Sequence, residues 1–292
     1  MSYAPNIVNL GILTGAQMAQ EQYDKNNPTP RHPKKTSTTR RLQTLNRKGG
    51  AGKSTTTGSV AEELGRMGYR VLVADLDANA SLTKAVGLRL GELNHSVYDV
   101  LMSPRKLLET RDAIVQLSHL NFDILPGSEN LGYAEPALLM ARRQHALQER
   151  LAEVEDDYDF VIIDTAGHES FMHTLGHVYA DEVILPTEAD IANWETIETT
   201  LASVRKVVED GLNPKMRVRA IIVTKYQQGT KFGEAMLKKL NAEYGDLLLP
   251  VVVMQTVRVR EAQAFHQPIT AYAPESQPAM AYRKLAEYLE RG

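Results

Sequence analysis

The sequence predicts an α/β fold: a doubly wound, mostly parallel sheet with helices on both faces. Three observations carry that expectation. Short, continuous apolar runs recur along the chain, each separated from the next by a segment of helix length. A glycine-rich stretch lies between the first run and the first helix, and two of the runs end in aspartate. Apolar runs without alternation belong to strands covered on both faces, which is the environment of a parallel sheet.

The strand candidates, in order, are Leu42–Leu45, Val71–Ala74, Phe122–Leu125, Phe160–Ile163, Glu182–Leu185, Ala220–Val223 and Leu249–Val253. A helix is expected from Ser54, with Val60, Ala61, Leu64 and Met67 on one face and Gly68 closing it. The last helix, through Tyr282, Leu285, Ala286 and Leu289, has a narrow apolar stripe suited to packing on the sheet. Residues 1–40 read differently. Asn26–Lys35 is proline-rich, polar and basic, as in an extended linker, so the chain divides into a tail over 1–40 and one domain over 41–292.

Composition narrows the function. The 292 residues are 43% hydrophobic and 24% charged, an ordinary globular balance. Cysteine is absent, which excludes disulfide scaffolds and thiolate metal sites. No apolar run approaches the roughly 20 residues of a membrane-spanning helix, and no export signal is read at the N-terminus. A net charge of −3 argues against bulk attraction to nucleic acid while leaving room for a local basic patch.

The chemistry concentrates in Asn46-Arg47-Lys48-Gly49-Gly50-Ala51-Gly52-Lys53-Ser54-Thr55. Glycines at 49, 50 and 52 let the backbone curl so that its N–H groups point at a phosphate. Lys53 can reach the β- and γ-phosphates of a nucleotide, and the Ser54 hydroxyl can ligate Mg²⁺. The helix beginning at Ser54 aims its positive end at the same anion. The nucleotide site is therefore assigned to Gly49, Gly50, Ala51, Gly52, Lys53, Ser54 and Thr55.

Lys48-Gly49-Gly50-x-Gly52-Lys53-Ser54 resembles the deviant Walker A loop of the ParA/MinD ATPases, and the resemblance extends over roughly residues 42–290. It implies ATP and Mg²⁺ as cofactors, and a homodimer in which Lys48 crosses to the partner's nucleotide. Val71–Asp77 resembles the family's Walker A′ segment. By that resemblance Asp77 positions the attacking water and Asp75 supports Mg²⁺, although Ala78-Asn79 stands where the family has Pro-Gln. Tyr158–Asp164 resembles Walker B, which makes Asp164 a Mg²⁺ ligand, direct or through water.

Asp164-Thr165-Ala166-Gly167 departs from the family's Asp-Thr-Pro-Pro and looks like the switch of signal-recognition-type GTPases. Those proteins read guanine with a carboxylate, whereas the matching stretch here, Thr224-Lys225-Tyr226-Gln227, has a neutral amide in its place. ATP is thus expected over GTP.

Within the family the chain looks ParA-like, since the membrane helix of MinD is missing. The resemblance implies a partition ATPase that binds DNA without sequence preference, is stimulated by a ParB-like or centromere-binding partner, and works in the cytoplasm on the nucleoid. Positioning of a protein complex and a metabolic or metal-inserting P-loop enzyme stay open beside it. Arg258 and Arg260 are the candidate DNA contacts: on an extended segment, alternation puts both on one side. His168, His173 and His177 are expected at the surface or in a switch region, and Trp194 in the core or an interface.

Overall fold

The computed structural model describes residues 34–168 and 170–291. The tail up to residue 33 lies outside the described residues. Eight strands form one sheet: β1 (Arg40–Thr44), β2 (Val71–Asp75), β3 (Val115–Gln116), β4 (Asp123–Leu125), β5 (Phe160–Asp164), β6 (Glu182–Glu188), β7 (Arg217–Tyr226) and β8 (Leu248–Met254). Their order is β3-β4-β2-β5-β1-β6-β7-β8. Every pairing is parallel except β3–β4 at the edge, where β3 is a two-residue strand too short to announce itself in the sequence.

The helices are α1 (Lys53–Arg66), α2 (Ser81–Ala85), α3 (Val97–Met102), α4 (Leu131–Met140), α5 (Ala146–Leu151) and α6 (Phe171–Tyr179). They continue as α7 (Ile191–Glu209), α8 (Lys231–Tyr244), α9 (Val257–Ala264), α10 (Ile269–Tyr272) and α11 (Gln277–Glu290).

Alternation along the strands sorts the core into two layers. Val71, Val73, Phe160 and Ile162 face the layer holding Val60 and Leu64 of α1 and Tyr282, Leu285 and Leu289 of α11. Leu72, Ala74, Val161 and Ile163 face the opposite layer, with Val100, Leu131, Leu147 and Leu175 from α3 to α6. The last helix packs on the sheet as its stripe requires. Trp194 packs at the β7–β8 end, its ring 5.3 Å from that of Tyr244.

Residues ahead of the first strand already bond to the sheet. Asp159, buried at the N-terminal end of β5, accepts from the backbone N–H groups of Lys35 (2.7 Å) and Thr36 (2.6 Å), and from the Thr36 hydroxyl. Its other oxygen takes the N–H of Arg70 at 2.8 Å. Burial pushes this carboxyl up, but the donors outweigh burial and hold it below its ordinary 3.8. Residues 35–36 are thereby clasped to the sheet through one carboxylate.

Asp159→Ala leaves three backbone donors without their acceptor, and should cost about 1–3 kcal/mol in urea unfolding at neutral pH. A carboxyl held low in the folded state contributes stability above its unfolded pKa and loses it as pH falls. The gap between wild type and variant should therefore be full above pH 3.8 and close below it.

Candidate nucleotide site

Parallel strands bring their carboxyl ends to one edge, and the crossover order places β2, β5 and β1 side by side there. The loop after β1 turns at Gly50 (φ 80°) and Gly52 (φ 87°), left-handed conformations that glycine adopts without strain, and runs straight into α1. Asn46 fixes its start: its side-chain amide donates to Pro186 O at 2.7 Å, and its carbonyl accepts the Lys48 N–H at 2.7 Å. Thr224, at the end of β7, supports its crown with a hydroxyl 3.0 Å from Ala51 O. The sequence suggests for Thr224 and Lys225 only a part in base choice. Their position against Ala51 and Gly50 shows a second use, which a chain separation of more than 170 residues conceals.

Lys53 is buried within the loop, its Nζ 3.1 Å from Lys48 O. Burial lowers its pKa, opposed by the charges of Asp164 and Asp77. Lys48 points elsewhere. Its ammonium lies at the rim, 3.3 Å from Asp190 and 3.8 Å from Glu188, and Glu188 also holds Lys225 at 2.9 Å.

Asp164, wholly buried at the end of β5, accepts from Thr57 Oγ1 at 2.9 Å through one oxygen and bonds the Ser54 hydroxyl. Its Oδ2 is buried without a hydrogen-bond partner. Burial and the neighbouring Asp75 push this carboxyl up. A buried acceptor with unused lone pairs beside a serine hydroxyl fits a hard divalent cation.

Asp77 keeps its side chain at the cavity and is shaped by its own loop. Asn79 donates to one oxygen through its N–H (2.9 Å) and amide (3.2 Å), and the Ser81 hydroxyl donates to the other at 2.7 Å. The Asn79 that stands in place of the family's glutamine is thus engaged with Asp77.

Asp75 lies in the wall of the site. The resemblance gives it a part in supporting Mg²⁺, but its carboxylate is sealed into the wall, accepting from Thr83 N–H (2.9 Å), Thr83 Oγ1 (2.7 Å) and Asp77 N–H (3.1 Å). Gly127 closes over it so tightly that a Cβ there would stand 2.9 Å from Asp75 Cγ. Asp75 shapes the 77–83 turn and acts on the site through its field.

One further expectation changes and another is narrowed. Val257–Ala264 is a helix, so Arg258 and Arg260 point roughly 200° apart around its axis and do not share a side. Both are exposed, and Arg260 also lines the nucleotide cavity. Ala262 supplies the reason: buried on the core, it anchors the segment as a helix despite the local Val-Arg alternation. His173 and His177 are buried on α6, while His168 is exposed.

The resulting cavity, of about 800 Å³, runs from Gly49–Thr55 past Asp77 to Met254 and Arg260. Residues 39–218 match the family described as an AAA domain. The chain is 33% identical over 248 residues to the chromosome-partitioning ATPase Soj of Thermus thermophilus, covering 85% of this chain and 94% of that protein. The chain belongs to the ParA/MinD-type ATPase family. Among solved structures, cobyrinic acid a,c-diamide synthase from Mycobacterium smegmatis with bound ADP and magnesium superposes with a TM-score of 0.73 at 29% identity, covering 87% of this chain and 95% of that one. The septum site-determining protein MinD from Pyrococcus horikoshii, complexed with Mg-ADP, gives 0.69 at 26%, covering 87% and 97%. In this ATPase the Ala166-Gly167 departure has a visible use. A Cβ on Gly167 would lie 2.6 Å from Gly49 Cα, so only glycine lets the loop after β5 press on the phosphate loop.

Gly167→Ala should therefore displace Lys48-Gly49. Overpacking of this kind costs about 1–3 kcal/mol, which on the bound state is roughly tenfold in nucleotide affinity by calorimetry. Unchanged affinity would show that the contact does not matter to binding.

Proposed function

We propose that this chain is a partition ATPase that joins as a homodimer around ATP and Mg²⁺, binds DNA without sequence preference, and segregates or positions plasmid or chromosomal DNA. A ParB-like or centromere-binding protein stimulates its hydrolysis, which returns the dimer to monomers. It works in the cytoplasm, on the nucleoid when ATP-bound. The observation that carries this reading is the division of labour between two lysines on one loop. Lys53 already occupies the interior of its own phosphate site, so Lys48, held at the rim, is available to a second subunit. Its half-exposed ion pairs are worth at most about 1 kcal/mol, a weak tether against a triphosphate.

Gly49–Thr55, with Lys53 among them, would hold the phosphates, and Ser54 and Asp164 would hold the cation. When bound, Mg²⁺ supplies charge neutralisation at the β- and γ-phosphate oxygens. Asp77, its two oxygens fixed by Asn79 and Ser81, orients the attacking water. The likeness to Soj, named for chromosome partitioning, supports a DNA cargo. Among the described residues no helix is long and apolar enough to cross a membrane.

Light scattering with saturating ATP separates the two roles. Lys48→Ala should weaken the ATP-dependent dimer, whereas Asp77→Ala should dimerise normally and stall hydrolysis. An Asp77→Ala variant that stays monomeric, or hydrolyses at the wild-type rate, sinks its assigned role.

With the arginines on different sides of α9, Arg258 is the better placed to meet phosphate. Arg258→Ala should weaken binding to unrelated duplexes alike and flatten the salt dependence, its slope falling by roughly 0.9 for each phosphate that a subunit no longer neutralises. Affinity equal to wild type across several salt concentrations would move the DNA surface to the basic Arg31–Arg41 segment.

A further inference from the structure

The loop that follows β5 carries the cation-binding Asp164 at one end and presses Gly167 on Lys48-Gly49 at the other. Ala166-Gly167 has little stiffness of its own, since neither residue restricts its backbone much. What holds it comes from α6. The ring of His173, 5% exposed, places Nε2 3.0 Å from Ala166 O and Nδ1 3.1 Å from the N–H of Ser170.

The backbone N–H of Ser170 can only donate, so Nδ1 is the acceptor. Nε2 therefore carries the proton and donates it to the Ala166 carbonyl. Burial, with Lys53, Arg47 and His168 adding to it, lowers this histidine to about 4, and His177 lies on its other side with ring centroids 6.4 Å apart. The ring is thus neutral with one N–H, and that N–H has one destination.

Resting on the ATPase reading above, we infer that His173 is a positioning residue for hydrolysis: through Ala166 it fixes the 164–167 loop, and with it Asp164 and the phosphate loop. The same ring completes a capping box at the start of α6, where Ser170 is the N-cap and His173 the third helical residue. These are two separate jobs done by two separate nitrogens. The loop bond acts on the site, and the cap acts on the helix. His173 itself does not line the nucleotide cavity, so it acts only through the carbonyl it holds.

The two nitrogens can be replaced one at a time. His173→Asn puts an amide oxygen near the place of Nδ1, keeping the cap but falling short of Ala166. His173→Gln extends an amide N–H toward the place of Nε2, keeping the loop bond while losing the acceptor for Ser170. Three readouts on the full-length protein decide: thermal midpoint, phosphate release with ATP across a Mg²⁺ titration, and hydrogen exchange of the 165–168 amides without nucleotide.

The Asn variant should melt near wild type, turn over roughly tenfold more slowly as expected for about one hydrogen bond's contribution, need more Mg²⁺ for half-saturation, and exchange faster at 165–168. The Gln variant should melt a few degrees lower, as for a missing cap, yet match wild type in exchange and stay within about threefold of it in turnover. The inference is overturned if Asn keeps wild-type turnover and exchange, or if both variants lose turnover in step with their melting points. Should Asn not fold, Gln decides alone: native exchange with retained turnover supports the assignment, and loss of both overturns it. Wild-type protein that releases no phosphate contradicts the ATPase reading instead, and the exchange of the two variants still tests the positioning.

Discussion

Two carboxylates face each other in register at the ends of neighbouring strands, Asp75 on β2 beside Asp164 on β5, both removed from water. Like charges in that setting repel strongly, and each needs donors or a cation to remain. Much of the site can be understood as the answer. Asp75 is given three donors by Thr83 and Asp77, Asp164 is given Thr57, Ser54 and the nearby charge of Lys53, and one Asp164 oxygen is left for a metal. The glycines at 127 and 167 let neighbouring backbone close in on this cluster, one over Asp75 and one on the phosphate loop.

The parts of this arrangement that the chain shows openly are those written in consecutive residues. Seven of the eight strands coincide with strand candidates in the sequence, five of them as continuous apolar runs, and the phosphate loop is a local pattern of glycine, lysine and serine whose geometry follows from its own backbone. The parts that stay hidden depend on distant residues. Nothing near Asp75 in the sequence says that Thr83 and Gly127 will seal it, and nothing near Thr224 says that Ala51 will receive its hydroxyl. Val257–Arg260 reads as alternating, but four residues are too few to settle a period, and burial of Ala262 decides for helix. The burial of the α6 histidines is hidden for a related reason. A polar residue reads as surface until its partners, Ala166 for His173 and Gln43 for His177, are known.

The cavity joins places that the sequence keeps apart. It is lined by the phosphate loop, by Asp77 and Asn79, by Thr165 and Gly167, and by Met254 through Arg260 at the start of α9. Under the proposed function, this continuity is how the state of the nucleotide bears on a DNA-contacting helix: Arg260 faces the nucleotide and Arg258, on the same two turns, faces outward. The rim lysine Lys48 and its acids Glu188 and Asp190 sit at the edge where a second subunit would meet the first.

The central claim is that the site is completed by a lysine from another copy, and a mixing experiment tests it most directly. Lys48→Ala and Asp77→Ala proteins, each inactive alone, are combined at equal concentration and assayed for phosphate release. A mixed dimer pairs the intact Asp77 of one subunit with the Lys48 of the other, so in a symmetric assembly one of its two sites is whole. The mixture should recover turnover that neither variant has. If the mixture remains as inactive as its parts while wild type turns over, Lys48 acts within its own subunit and the shared site is wrong.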